Sequence, residues 1–589
     1  MWALSLLAVA SATTGFDPTI ADDNFVAGET YTGDGAIRLW ANVERHRDTN
    51  AELFGPQDFN RGLEWPADDD FAPFINEMFG TARPDSDAFL LHAGLRAGVG
   101  RGTPILFIPG AGDNASRGWA TMVFRFDNAD PIRPAYAMTF SHPHGDVFQQ
   151  AEAIANAVAR IKHLHGVDEV DLVAHSKGGI AAAIYLSHTA TAEWGHAAYE
   201  THGTPYRGDV RRAVMIATPL NGVDTLFRWP ANNYAALDAQ VAVSPASWDT
   251  WYPNGVGVPL TAVDLSHQDV YLGGARDLFP GQRQILRPQD APLPGSMPWL
   301  GTYALLQQDW FTTWNGGPGF VSHSEGIDAA VADGGDVISK LEAQGVDPAV
   351  ELFLLAGNNP LLTNGTPLLG TDTFNESWSD FFGATAAAWS NLLGDIVANT
   401  IPGLETSAAD VTGLVGGQLV LGEITAPSDG LVFVDSALHE EALTARGAQV
   451  VEAVEVNLAH IDLMYASPIT GQLILDQVTA DPNANGWMQG IGERYVSEDT
   501  LGLVERWLAD PQVDPDPADP GDPADPADPT DPTDPVDPVD PVDDDPSGPS
   551  DLRPLDVDGC TCSGSGRSSG PVWALLLLAL ARRNRVRRR

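Results

Sequence analysis

Cysteine is almost missing from this chain: among 589 residues only Cys560 and Cys562 occur, both near the C-terminus. The body of the protein therefore has no internal disulfide and no thiolate metal centre, so its chemistry falls to oxygen and nitrogen groups. Lysine is nearly as scarce, confined to Lys162, Lys177 and Lys340, and arginine carries the remaining positive charge. That charge is outweighed by 79 acidic against 32 basic residues, a net charge of −47. Such a surface repels phosphate and makes nucleic acid a poor partner; it suits an exported or salt-exposed protein. The apolar run from Pro571 to Ala581 falls short of the roughly 17–25 residues that span a membrane.

What is present divides into several regions. The start, MWALSLLAVASATTG, is a short apolar run followed by small residues. Ala10-Ser11-Ala12 fits an A-x-A cleavage site, so residues 1–12 are expected to be a signal peptide and the protein to be exported. Residues 509–558 are dominated by an Asp-Pro repeat, DPADPGDPADPADPTDPTDPVDPVDPVDDDP within it. Frequent proline forbids helix and removes ladder donors, and the aspartates repel one another, which predicts an extended, solvated stalk. Residues 559–589 end as GCTCSGSGRSSGPVWALLLLALARRNRVRRR. Cysteines, spacer, apolar run and arginine cluster in this order resemble the MYXO-CTERM sorting signal of myxobacterial surface proteins. That resemblance implies a temporary membrane hold through the tail, a C-terminal sorting protease as partner, and display at the cell surface or release.

With 43% hydrophobic residues, the stretch 13–508 can bury a large core. Apolar strand-like runs (TPILFIPG, PAYAMTF, VDLVAHS, VRRAVMIATPLNG, VELFLLAGNNP, VVEAVEVNLAH) alternate with helical segments. In Asp146–Gly166, Val147, Ala151, Ile154, Val158 and Ile161 recur at helical spacing. The expected fold class is α/β: a mostly parallel sheet covered by helices on both faces. A Trp-, Pro- and Gly-rich insertion at about 221–347 reads as a cap, and a second insertion runs from Leu361 to Thr425. The first hundred residues carry a weaker pattern, with Asp68-Asp69-Asp70 as a solvated loop.

Within the body, VDLVAHSKGG places one serine between a buried strand and an Ala-rich helix. A strand turning sharply into a helix exposes one side chain at the sheet edge and needs small neighbours, here Ala174, Gly178 and Gly179. The helix N-terminus aims backbone N–H groups at the same point. Ser176 is thus the candidate nucleophile, and the amide of Lys177 a candidate oxyanion donor. The box resembles the nucleophile elbow of secreted bacterial lipases of the α/β-hydrolase superfamily, in an A-x-S-x-G form. That resemblance implies an oxyanion strand before the serine, then an acid, then a histidine. The strand ILFIPGAG offers the amide of Ala111, with Pro109 where those lipases usually carry His. The acid is Asp429 in PSDGLVFVDSAL, with Asp435 as rival. The base is His460 in VNLAHIDLMYASP, following the last strand. His142 and His144 would line the pocket, and His175 would pack within the elbow. The lipase pattern also offers Asp462 for a structural calcium, with Asp395 or Asp410 as a second carboxylate; the reaction itself requires no cofactor.

Serine, imidazole and an oxyanion hole perform acyl transfer to water. The expected function is that of a serine carboxylic ester hydrolase, a lipase cleaving long-chain acylglycerol esters, since aromatic walls favour acyl chains. The alternatives are an extracellular polyhydroxyalkanoate depolymerase, a short-chain esterase, and a non-catalytic surface adhesion protein of the same fold.

Overall fold

Strands that are apolar at every position must be covered on both faces, and the sheet meets that requirement by alternation. The computed structural model describes residues 16–26, 39–48, 72–81, 84, 87–111, 113–129, 131–143, 145–187, 194, 199, 203–224, 281, 284–289, 331–332, 334–359, 427–429, 431–480 and 486–510. Among them, one sheet contains β1 (Asp23–Val26), β2 (Trp40–Arg47), β3 (Ala88–Gly94), β4 (Ile105–Ile108), β5 (Ala135–Phe140), β6 (Val170–His175), β7 (Val210–Ile216), β8 (Glu351–Gly357) and β9 (Gln449–Val456). Helices α1 (Ala72–Phe79), α2 (Ala120–Asp127), α3 (Val147–His165), α4 (Lys177–Ser187) and α5 (Val337–Gln344) interleave with the strands. Further on come α6 (Val434–Leu438), α7 (Glu440–Ala445), α8 (Pro468–Ala480), α9 (Gly486–Ser497) and α10 (Thr500–Leu508).

The strand order is β1-β2-β3-β5-β4-β6-β7-β8-β9. Strands β5, β4, β6, β7, β8 and β9 pair in parallel, while β1, β2 and β3 join through antiparallel pairings. Successive strand residues face opposite sides. Ile105, Phe107, Phe353 and Leu355 therefore pack into a core with Met122 and Phe126 of α2 and Val504 and Trp507 of α10. Leu106, Ile108, Leu352 and Leu354 face the other way, onto Ile154 and Val158 of α3 and Ile180 and Ile184 of α4. Each such aliphatic side chain contributes about 1.5–3 kcal/mol by leaving water. The order and strand directions are those of the α/β-hydrolase fold.

Two features of this sheet position the site. From β4 the chain moves outward to β5, then returns through α3 across β4 to β6. The carboxyl ends of β4 and β6 thus flank the point where strand order reverses, the place where open α/β sheets bind ligands. Helix α3 is fixed at both ends: Asp146 Oδ1 accepts from the N–H groups of Phe148 (2.8 Å) and Gln149 (3.2 Å), and Gly166 closes the C-terminus at φ 64°.

The structure adds elements in the less legible regions. β2 escapes an apolar pattern because two of its polar residues, Glu44 and His46, are buried with partners. Glu44 accepts two bonds from Arg160, each 2.8 Å, and lies 3.0 Å from His46. The expected signal peptide (1–12), most of both insertions, Asp68-Asp69-Asp70, the Asp-Pro repeat beyond residue 510 and the segment 559–589 expected to be a sorting tail lie outside the described residues. Among the described residues no helix is long and apolar enough to cross a membrane.

Candidate active site

β6 ends at His175 and α4 begins at Lys177, leaving one residue to make the turn. Ser176 makes it at φ 52°, a left-handed conformation that costs a residue with a Cβ about 1–2 kcal/mol. The turn is held from both sides: the N–H of Ser176 donates to the Ile216 carbonyl (2.9 Å), and that of Gly179 to the Ser176 carbonyl (2.9 Å). A Cβ on Gly178 would collide with the Pro109 carbonyl, and one on Gly179 with the Thr218 side chain. The paired glycines of the sequence are thus explained by close approach. Ser176 remains half-buried.

The turn after β4 packs directly against this elbow. A Cβ on Gly110 would lie 2.9 Å from His175 Nδ1 and 3.0 Å from the Ser176 Cβ. This places Gly110 beside the serine, and Pro109 against Gly178 in the first turn of α4. The Lys177 side chain runs inward, its ammonium bonded to Gln150 Oε1, whose own amide donates to the His142 carbonyl (2.9 Å). Burial pushes the Lys177 amine down to about 7, opposed only in part by the nearby Asp146 carboxylate. Asp146 also ties down a segment in the middle of the long insertion: its Oδ2 accepts from Gln284 Nε2 (2.7 Å), while Gln284 Oε1 accepts from the Val147 N–H (2.9 Å).

Asp429 and His460 come together from distant segments. Asp429 is buried, and its Oδ1 accepts from the N–H groups of Leu431 (2.9 Å) and Val432 (2.7 Å). Its Oδ2 lies 2.7 Å from His460 Nδ1, and its carbonyl accepts from the His460 N–H (3.0 Å). A carboxylate at Nδ1 keeps the proton there and leaves Nε2 bare, the tautomer a general base needs. The rival Asp435 is exposed on α6. His460 stands beside the elbow, its ring centroid 4.7 Å from that of His175, the residue preceding Ser176.

The other candidates fall elsewhere. His142 is buried at the start of the β5–α3 connection; His144 lies outside the described residues. Asp462 is buried and accepts from the Tyr495 hydroxyl (2.7 Å). Asp395 and Asp410 lie outside the described residues, and among the described ones no cluster of three or more His, Cys, Asp or Glu side chains could hold a metal ion. Two contacts escaped the sequence reading, although His175 itself was expected to pack within the elbow. Gly357 closes β8 against Asp429, and His175 Nε2 lies 3.0 Å from the His460 carbonyl. The only sequence signal for the second was a histidine next to the candidate nucleophile.

No protein-family model matches the chain, and no curated protein matches it. Among solved structures, the chain is similar to the lipase BlEst2 of Bacillus licheniformis in mature form, at 15% identity, 64% of this chain, 91% of that one and TM-score 0.24. It is similar to a thermostable carboxyl esterase from Bacillus coagulans at 13% identity, 46% and 75% coverage and TM-score 0.21. A carboxylesterase of the thaumarchaeon Nitrososphaera gargenis follows at 14% identity, 53% and 93% coverage and TM-score 0.22.

Proposed function

We propose that this chain is a serine carboxylic ester hydrolase working through an acyl-enzyme on Ser176. The observation that carries the reading is the 2.7 Å bond between buried Asp429 and His460 Nδ1, beside a serine held on a strained strand-to-helix turn. A structural aspartate and histidine have no need of such a neighbour.

In the proposed reaction, His460 Nε2 takes the Ser176 hydroxyl proton as the oxygen attacks the ester carbonyl carbon. Asp429 holds the imidazolium that results. The amides of Ala111 and Lys177 donate to the oxyanion of the tetrahedral intermediate, a contribution typically worth a few kcal/mol per donor. Collapse breaks the ester C–O bond, and His460 returns the proton to the leaving alkoxide. Water, deprotonated by the same imidazole, then attacks the acyl-enzyme and releases the acid and free Ser176.

The substrate we propose is a long-chain acylglycerol ester. The Trp-rich composition of residues 221–347 supports it, because aromatic walls favour acyl chains. The apolar N-terminal run and the MYXO-CTERM-like tail support export and a sorting step at the cell surface. A fluorophosphonate probe tests the chemistry: Ser176 should be labelled, and the Ser176→Ala variant should not. An unlabelled, folded wild type would reject the hydrolase in favour of a binding protein. Comparing p-nitrophenyl butyrate with palmitate tests the substrate; a clear preference for butyrate would point to a short-chain esterase.

A further inference from the structure

We propose that His175 is a positioning residue, holding the loop that carries His460 against the nucleophile's own strand. This rests on the hydrolase reading, because it assigns His460 as the base. Three observations support it. First, His175 Nε2 lies 3.0 Å from the His460 carbonyl oxygen. A carbonyl only accepts, so Nε2 carries the ring proton and Nδ1 is bare. The tautomer is fixed by this one bond, the mirror image of His460, whose proton Asp429 holds at Nδ1.

Second, the ring is buried and meets three parts of the site. His175 is 3% exposed. It adjoins Ser176 in the chain, and its ring lies 4.7 Å from that of His460. Its Nδ1 sits where a Cβ on Gly110 would approach to 2.9 Å. One side chain therefore contacts the oxyanion turn, the nucleophile strand and the base loop.

Third, the bare Nδ1 is a buried acceptor without a hydrogen-bond partner, which costs stability and calls for an explanation. The geometry gives one: reversing the tautomer would satisfy no acceptor at Nδ1 and would leave the His460 carbonyl facing a lone pair. Burial, reinforced by the neighbouring His460, holds His175 well below the ordinary imidazole range and therefore neutral. A neutral ring adds no charge repulsion when His460 becomes imidazolium during turnover.

With His175 as a second anchor, the base is fixed from three directions: its N–H by the Asp429 carbonyl, its Nδ1 by the Asp429 carboxylate, and its carbonyl by His175. The first two share one residue. Only the third refers His460 to Ser176, and a displacement of about 1 Å between reacting groups can cost on the order of 100-fold in rate.

The test compares three variants of the full chain. The amide nitrogen of Gln at 175 can reach the Nε2 position, that of Asn stops near Nδ1, and Met fills the space without a donor. Turnover of p-nitrophenyl butyrate is measured per site labelled by fluorophosphonate, which removes any effect of misfolded protein. His175→Asn and His175→Met should lose roughly 10- to 100-fold in kcat with KM changed less than about twofold. His175→Gln should recover to within a few-fold of wild type. The downfield proton resonance of the His460–Asp429 bond should broaden in the Asn and Met variants and sharpen again in Gln. If His175→Met fails to fold, the Gln and Asn pair decides. Equal kcat per labelled site in all variants, with an unchanged downfield resonance, overturns the positioning role while leaving the hydrolase intact. A folded wild type that neither labels nor turns over overturns both.

Discussion

Gly357, the last residue of β8, lies against Asp429 so closely that a Cβ on it would sit 2.9 Å from the Asp429 Cβ and collide with the Leu458 carbonyl. Both Asp429 and the loop leading to His460 thus use the space left by one missing side chain. Gly357→Ala is expected to push Asp429 and Leu458 apart, destabilising the fold by about 1–3 kcal/mol. Activity per folded molecule should fall more steeply than stability. Urea unfolding together with active-site titration checks this, and wild-type kcat in the folded variant would contradict it.

Strain at Ser176, the proposed nucleophile, gives a second expectation. Ser176 holds φ 52°, which glycine adopts freely and alanine does not. Ser176→Gly should be more stable than Ser176→Ala by about 1 kcal/mol, and both should be inactive. Denaturation midpoints of the two variants decide the point, because neither retains the hydroxyl.

Asp429→Asn isolates the tautomer. The Asn carbonyl oxygen can still accept from the N–H groups of Leu431 and Val432. Its NH2 then faces His460 Nδ1 and forces the ring proton onto Nε2, where no serine proton can be received. A loss of roughly 10⁴-fold in kcat with the fold retained is expected. Circular dichroism and ester turnover measure the two halves separately.

The buried Lys177 amine predicts a pH dependence of stability. Its pKa is about 7 in the folded chain and roughly 10.4 when unfolded. Between those values the unfolded state binds more protons, so this residue's destabilising effect is full below about pH 7 and fades as pH rises towards 10. Lys177→Met removes the titration. The variant's urea midpoint relative to wild type should therefore be highest near pH 7 and fall steadily towards pH 10. A difference that stays constant across this range would rule out a buried, depressed amine.

Much of the fold was legible because local chemistry dictates it. The six parallel strands β4 to β9 were readable as runs rich in apolar residues, and α3 as a helix spanning Asp146 to Gly166, whose ends proved to be its caps. The elbow was readable because a β-branched run, a serine and paired glycines admit few other turns. By contrast, β2 was hidden by Glu44 and His46: Arg160, 116 residues from Glu44, meets the buried carboxylate, which in turn lies 3.0 Å from His46. Helices α8 to α10 gave no motif to anchor a reading, and their place in the core follows from contacts with other elements.

The chain's own order of residues determined its periodicities, its turn chemistry, its acidic surface and the candidate roles of Ser176 and His460, since each depends on near neighbours. Only the tertiary structure decided that Asp429 rather than Asp435 meets the histidine, and that His175 grips the loop bearing it. Those contacts join segments 31 and 285 residues apart. Hydrogen bonds act over about 3 Å, so such pairings exist only once the sheet has brought its strand ends together.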